Sequence, residues 1–169
     1  YTERMLAFSY LECNPDSTTL KTGLEASNRF FAIVPANMVS YLDYKTRGAL
    51  FIKLGKDSLG LLEYEKAIGI NEIAAKELTS EVASLYFKSK KFDKAIDAYK
   101  LALSLNEKKG FENNQISTLM NLGVSQRRAK RFKDALTSFE DAKILVDKAN
   151  IAYYKQTVYQ NLADCTLNN

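Results

Sequence analysis

Residues 83–105 read ASLYFKSKKFDKAIDAYKLALSL, and this stretch decides the fold. It contains two helix-like segments on either side of a short basic turn. Small and aromatic side chains alternate through it, with small ones at Ala83, Ala95 and Ala102 and rings at Tyr86, Phe92 and Tyr99. Small side chains let two antiparallel helices approach closely, and rings fill the space that remains. The pattern predicts a helix–turn–helix unit, which cannot bury its apolar face alone.

The same pattern recurs on both sides of this stretch. An offset of 35 residues brings Gly48 into register with Ala83, and an offset of 40 residues does the same for Gly123. The positions that then match are Gly60, Tyr64 and Ala67 upstream, and Ala135, Phe139 and Ala142 downstream. A looser copy precedes them, and a final half repeat follows. Recurrence at a fixed spacing predicts a stack of similar helix pairs.

These residues resemble the tetratricopeptide repeat family, whose unit has about 34 residues with small side chains at three fixed positions. The matching positions are Gly48, Gly60 and Ala67, then Ala83, Ala95 and Ala102, then Gly123, Ala135 and Ala142. Two positions depart from the family pattern. Phe30 replaces a small residue in the first repeat, and Gln126 stands where the family usually has a ring.

The resemblance implies an all-α fold, a right-handed superhelical α-solenoid of antiparallel helix pairs with about nine helices. We expect a single domain over residues 1–169, as a fragment of a longer chain. Its repeats should lie at about 1–36, 41–74, 76–112 and 116–150, with a final helix at 151–167. The predicted helices are 2–12, 18–33, 41–54, 57–69, 72–89, 92–108, 112–129, 132–148 and 151–167. Ser40 and Asp43 resemble an N-terminal cap, and Pro35 ends the second helix.

The composition excludes most catalytic chemistry. The chain has 169 residues, 46% of them hydrophobic and 26% charged, and it has no histidine. A Ser-His-Asp triad is therefore absent, as is the commonest metal ligand. Cys13 and Cys165 fall in the first and last repeats, too far apart to form a disulfide or share a zinc ion. We expect no enzyme activity, catalytic residue, metal or cofactor, and no apolar run approaches the length of a membrane span.

The resemblance also implies a binding surface. In this family the first helices of successive repeats line a concave groove that usually holds an extended peptide or a partner helix. The chain is therefore expected to be a non-catalytic protein–protein interaction module with a protein or peptide partner. The predicted groove residues are Lys45, Ala49, Ile52, Lys53, Ser80, Ser84, Phe87, Lys88, Asn121, Val124, Arg127 and Arg128.

Basic turns suggest an alternative function, an anion or nucleic-acid binding domain that uses a cationic ridge. The ridge residues are Lys53, Lys56, Lys88, Lys90, Lys91, Lys94, Arg127, Arg128, Lys130, Arg131 and Lys133. A structural explanation competes with it, because cations stabilise the C-terminal ends of helices. The ligand of such a ridge would be an acidic peptide, an anionic surface or nucleic acid. The net charge of +4 indicates modest steering, and the absence of interleaved exposed rings disfavours nucleic acid.

Two further expectations concern assembly and location. Ile151, Tyr154, Val158 and Leu162 form an apolar stripe on the last helix, which has no following partner, and this predicts self-association. The segment 54–68 is similar to repeats common in bacterial envelope-associated members of the family. That similarity points to a bacterial periplasm or cell envelope, although the residues themselves do not define the compartment.

Overall fold

The computed structural model describes residues 2–12, 16–105 and 112–166. Within these ranges it has nine α-helices, one short 3-10 segment (Ala36–Met38) and no strand. The helices are α1 (Thr2–Glu12), α2 (Ser17–Ile33), α3 (Tyr41–Lys53), α4 (Asp57–Ile68), α5 (Glu72–Lys88), α6 (Phe92–Leu105), α7 (Glu112–Arg128), α8 (Phe132–Ala149) and α9 (Ala152–Thr166). The predicted all-α class and helix number are confirmed, and helix ends differ from prediction by at most one residue where the chain is described. The predicted end of α6 at 106–108 lies outside these residues.

The chain divides into two compact units, Tyr1–Leu78 and Thr79–Asn169, which we call the N-terminal unit and the C-terminal unit. In the N-terminal unit α1 pairs with α2, α3 pairs with α4, and α2 and α1 both contact α3. In the C-terminal unit α7 pairs with α8 and contacts α6, and α9 packs on α8. Each unit is thus built from helices that are neighbours in sequence, as helix-pair repeats require.

Close helix approach in the N-terminal unit depends on two glycines. A Cβ atom on Gly48 of α3 would lie 2.5 Å from the ring of Tyr64 on α4. A Cβ atom on Gly60 of α4 would lie 2.9 Å from the Gly48 carbonyl oxygen and would also meet Ile52. Neither Gly48 nor Gly60 has room for a methyl group, so the predicted packing of small residues between these two helices is confirmed.

The C-terminal unit is built in the same way. Ala83, Ala95 and Tyr99 belong to one buried cluster, and they are at most 3% exposed. A Cβ atom on Gly123 would lie 2.6 Å from the ring of Phe139. This ring fills the space next to α7, as the register predicts.

A buried polar pair replaces the ring that the family usually has at Gln126. Gln126 is 3% exposed, and its Oε1 accepts a hydrogen bond of 2.7 Å from the Ser138 hydroxyl. Burying an amide without a partner would be costly, so Ser138 on α8 compensates for the missing ring.

The first helices of three pairs end in the same backbone motif. Gly55, Lys90 and Lys130 adopt left-handed conformations, with φ of +74°, +58° and +62°. After α5, the Lys90 N–H donates to the Phe87 carbonyl and the next N–H donates to the Tyr86 carbonyl, both at 2.9 Å. This is the Schellman motif, which satisfies the last carbonyls of a helix. Glycine has no Cβ atom and adopts this conformation without a steric cost. The Cβ atom of a lysine is crowded by the backbone in this conformation, so Lys90 and Lys130 are strained.

Glycine at the two strained turns should therefore stabilise the protein. We expect Lys90→Gly and Lys130→Gly each to raise the free energy of unfolding by about 0.5–1 kcal/mol, as followed by urea denaturation. Lys100→Gly is the matched control, since Lys100 is exposed in the middle of α6. That change should lower stability by about 1 kcal/mol. A loss of stability in all three variants would contradict the assignment of turn strain.

Candidate binding surfaces

An apolar cleft of about 260 Å³ lies between α1, α2 and α3 of the N-terminal unit. Its lining includes Met5 and Phe8 from α1, Phe30 from α2 and Leu42 from α3. Three of these side chains remain accessible: Met5 is 58% exposed, Phe8 46% and Leu42 49%. Exposed apolar groups gathered around a concavity are typical of interaction sites rather than of ordinary surface.

The cleft arises because α1 is apolar on two faces. Ala7 is 3% exposed and packs with Leu20 and Leu24 in the unit's core. Met5 and Phe8 lie on another face of α1 and border the cleft. Neither residue was predicted from the sequence, although apolar side chains on both sides of Ala7 in a short helix were a detectable signal.

An ion pair holds α1 against the start of α3 beside the cleft. Arg4 Nη2 donates to Asp43 Oδ2 at 2.7 Å, and the guanidinium lies 4.8 Å from the centre of the Phe30 ring. The same Asp43 oxygen accepts from the Ser40 backbone N–H and hydroxyl, both at 2.8 Å, which confirms the predicted cap. The Asp43 side chain is only 5% exposed. Asp43 is enclosed by these donors, whereas the Arg4 side chain is 40% exposed and its Nε has no hydrogen-bond partner among the described residues. The two opposite charges leave the pair neutral as a whole.

A second ion pair joins α3 to α4. Arg47 donates through Nε and Nη2 to Glu63 Oε2 at 2.8 and 2.6 Å, and Lys66 donates to Glu63 Oε1 at 3.0 Å. The Glu63 side chain is 6% exposed, and the guanidinium of Arg47 lies 3.4 Å from the centre of the Phe31 ring. Both carboxylate oxygens are occupied by cations. This arrangement suits a structural clamp and does not suit a general base.

The predicted groove residues of the N-terminal unit all lie on α3. They are Lys45, Ala49, Ile52 and Lys53. Lys45 Nζ pairs with Glu77 Oε2 at 3.0 Å, and Lys53 Nζ donates to the Leu11 carbonyl at 3.2 Å. Ala49 and Ile52 are half-buried. The two lysines thus contact neighbouring helices through partly exposed side chains.

On α5 the four predicted residues are Ser80, Ser84, Phe87 and Lys88. Burial raises the pKa of the Tyr99 phenol, and a hydrogen bond with the Ser84 side chain partly opposes that shift. The Phe87 ring packs on Phe92 with centroids 5.5 Å apart. Lys88 is exposed, whereas Ser84 and Phe87 are half-buried. Two of the four residues, Ser84 and Phe87, therefore contact α6.

On α7 the four predicted residues are Asn121, Val124, Arg127 and Arg128. Val124 packs against the cluster of Phe139 and Cys165. Arg127 Nη1 pairs with Asp164 Oδ2 on α9 at 3.4 Å. Asn121 and Arg128 are exposed.

The described part of the chain contains one cysteine and no cluster of potential metal ligands. Cys165 is buried, burial raises the pKa of its thiol, and its Sγ donates to the Phe132 carbonyl at 3.5 Å. Such a thiol is a poor nucleophile at neutral pH. No cluster of three potential metal ligands occurs among residues 2–12, 16–105 and 112–166. Cys13 lies outside these ranges.

The apolar stripe of α9 packs inside the C-terminal unit. Val158 is fully buried against Ile116 and Val146, and the remaining stripe residues are partly buried on the same cluster: Ile151, Tyr154 and Leu162. The stripe is therefore already partnered by α7 and α8, and self-association through it remains a prediction. Among the described helices, none combines the length and the apolar character that crossing a membrane requires.

Comparison with known proteins agrees with the repeat architecture. Residues 72–143 match the family model described as tetratricopeptide repeat. A crystal structure of MamA superposes with a TM-score of 0.71 at 19% identity, covering 88% of this chain and 79% of MamA. The C-terminal part of a TPR repeat-containing protein from Cytophaga hutchinsonii gives a TM-score of 0.66 at 16% identity, covering 99% and 67% of the two chains. No curated protein matches the sequence. Residues 72–143 are therefore tetratricopeptide repeat sequence, and the chain has the tetratricopeptide repeat fold.

Proposed function

We propose that this chain is a non-catalytic protein–protein interaction module that binds an apolar peptide segment of a partner in the cleft between α1, α2 and α3. The tetratricopeptide repeat match supports the general role, since the fold serves protein interaction. The observation that carries the specific site is the cleft with its three accessible apolar side chains, Met5, Phe8 and Leu42.

The size and charge of the cleft define its occupant. Small-molecule and cofactor pockets usually measure about 300–1,000 Å³ and enclose most of the ligand. A cleft of about 260 Å³ that opens to solvent is better suited to one or two anchoring side chains of a peptide. The charged residues that line it, Arg4 and Asp43, neutralise each other, so the cleft has no net charge to attract a charged ligand. An uncharged apolar anchor is the chemistry that fits.

The predicted groove residues extend this proposal along α3. Lys45 lies on the same helix as Leu42, and its pair with Glu77 is partly exposed on both sides. Exposed pairs of this kind contribute little to folding, so they are available for exchange with polar groups of a bound peptide. We also propose that the predicted groove positions on α5 and α7, including Lys88 and Arg128, contact a bound peptide in the C-terminal unit.

A charge placed in the cleft should abolish peptide binding. Peptides would first be selected from a random display library on the wild-type chain, and their affinities then measured by fluorescence anisotropy. We expect the selected peptides to share an apolar anchor and Leu42→Asp to weaken binding at least about tenfold, because an unpaired carboxylate would face that anchor. Ile144→Asp is the control, since Ile144 is 61% exposed on α8 of the C-terminal unit. Circular dichroism would verify that both variants remain folded.

Two results would contradict the proposed site. One is equal weakening by Leu42→Asp and Ile144→Asp. The other is a set of selected peptides whose amide chemical-shift perturbations fall outside α1, α2 and α3.

A further inference from the structure

We propose that the C-terminal unit carries a second docking surface, which takes an acidic peptide segment at the turns α5–α6 and α7–α8. We call it the cationic edge and define it by Lys90, Lys91, Lys94, Lys130, Arg131 and Lys133. It uses none of the residues of the apolar cleft, so it goes beyond the function proposed above.

The two turns are direct neighbours. Arg131 Nη2 of the second turn pairs with Asp93 Oδ1 of the first at 2.7 Å. Ala129 of the second turn and Phe87 of α5 both pack against the buried cluster that contains Ala83 and Tyr99. An open cleft of about 450 Å³ lies at this contact, and both Lys91 and Ala129 line it. The cations of the two turns therefore share one surface rather than being scattered over the unit.

The charge of the chain is concentrated at these turns. Segments 88–94 and 127–134 contain nine Lys and Arg residues, six of which form the cationic edge, and two Asp residues, a net charge of +7. The whole chain has a net charge of +4, so all the remaining residues together carry −3. Each cation near the C-terminal end of α5 or α7 can stabilise that end by about 0.3–1 kcal/mol, but the cations of the two turns also repel one another. A local positive surface on a nearly balanced chain favours an anionic partner at this place.

Most of these cations are available to a ligand. Lys90, Lys91, Lys130 and Lys133 are exposed, and none forms an ion pair with an acid within the described residues. Asp93 is the one acid that lines the cleft, and Arg131 already neutralises it. Since the pair is exposed, a carboxylate from a ligand can replace Asp93 at little cost.

The aromatic residues of the turns favour a peptide over a nucleic acid. Single-stranded nucleic acids are bound by stacking bases on exposed rings. Phe92 and Phe132 are both half-buried, and Phe92 packs against Phe87. The apolar part of the cleft, Phe92 and Ala129, lies beside lysines. That combination fits a peptide in which carboxylates flank an apolar side chain.

The test uses a fluorescein-labelled oligoglutamate peptide and fluorescence anisotropy with the full chain. We expect binding at about 50 mM NaCl that weakens at least about tenfold at about 300 mM, where the screening length falls to a few ångströms. The triple variant Lys91→Glu, Lys94→Glu and Lys133→Glu should weaken binding at least about tenfold at low salt. The control is Lys21→Glu, Lys100→Glu and Lys155→Glu, which gives the same net charge and should change affinity less than about twofold. If the first triple variant unfolds, the corresponding Lys→Gln substitutions replace it.

Three outcomes would overturn the proposal. Absence of oligoglutamate binding at low salt is the first. Equal weakening by the two triple variants is the second, because it would show a response to net charge alone. The third is that oligothymidylate of the same charge binds more tightly than oligoglutamate and that the first triple variant loses this binding. That result would show that the cationic edge binds nucleic acid. Leu42→Asp should leave oligoglutamate binding unchanged, which keeps this test independent of the apolar cleft.

Discussion

Replacing Arg47 with methionine is expected to lower the free energy of unfolding of the N-terminal unit by about 3 kcal/mol. The change leaves the buried Glu63 carboxylate with Lys66 alone, whose side chain is 46% exposed. Removing one partner of a buried ion pair typically costs about 3–5 kcal/mol, because the remaining charge is desolvated without compensation. Methionine keeps most of the apolar stem of Arg47, so a cavity contributes little to the loss.

A matched control lies on the same helix. Lys45 pairs with Glu77 at a similar distance, 3.0 Å, but its side chain is 37% exposed and that of Glu77 42%. Lys45→Met should cost no more than about 0.5 kcal/mol, because exposed ion pairs contribute little. Urea denaturation followed by circular dichroism would measure both changes. Similar losses for Arg47→Met and Lys45→Met would show that burial of the ion pair does not determine its contribution.

A double variant distinguishes a charge effect from a packing effect. Arg47→Met combined with Glu63→Leu removes both charges, and buried ion pairs are often replaced by apolar residues without loss. We expect the double variant to recover at least about 2 kcal/mol of the loss caused by Arg47→Met. If the double variant is no more stable than Arg47→Met, the guanidinium acts mainly through its contact with Phe31.

The helices were predictable because local sequence determines where each one begins and ends. Ser40 with Asp43, Pro35 and the glycine in the turn after α3 all act within a few residues of the backbone they control. The glycine positions were also predictable, since the repeat register places each small residue opposite a neighbouring helix. Lys90 and Lys130 were identified from the sequence only as basic turn residues. The repeat offsets of 35 and 40 residues align both lysines with Gly55, and this alignment could have indicated their left-handed conformation.

The candidate sites were less predictable because they depend on contacts between residues distant in sequence. Arg4 is 39 positions from Asp43, and nothing local to either residue indicates the pair. From the sequence alone, all cations of the predicted ridge were equally plausible as contacts for an anionic ligand. The structure distinguishes them, because Lys53 donates to the Leu11 carbonyl and Arg127 pairs with Asp164, whereas Lys91 is exposed and forms no ion pair among the described residues.

Introducing a methyl group at Gly60 is expected to lower the free energy of unfolding by about 2 kcal/mol, although alanine is the better helix former by about 1 kcal/mol. The new Cβ atom would lie 2.9 Å from the Gly48 carbonyl oxygen and would collide with the Ile52 side chain. A backbone oxygen cannot move away unless α3 and α4 separate. Gly69→Ala is the control, since a Cβ atom there would meet nothing closer than 3.5 Å. It should be neutral or stabilising by up to about 1 kcal/mol, so only Gly60→Ala should lower the stability.

The relative importance of the two collisions at Gly60 can be measured. Ile52→Ala removes the side chain that meets the new methyl group but leaves the Gly48 carbonyl where it is. If the backbone distance between α3 and α4 is the limiting factor, Ile52→Ala should relieve less than half of the destabilisation in a double-mutant cycle. Complete relief would mean that only the side chain obstructs the methyl group. In that case close backbone approach would not explain why glycine occurs at this position.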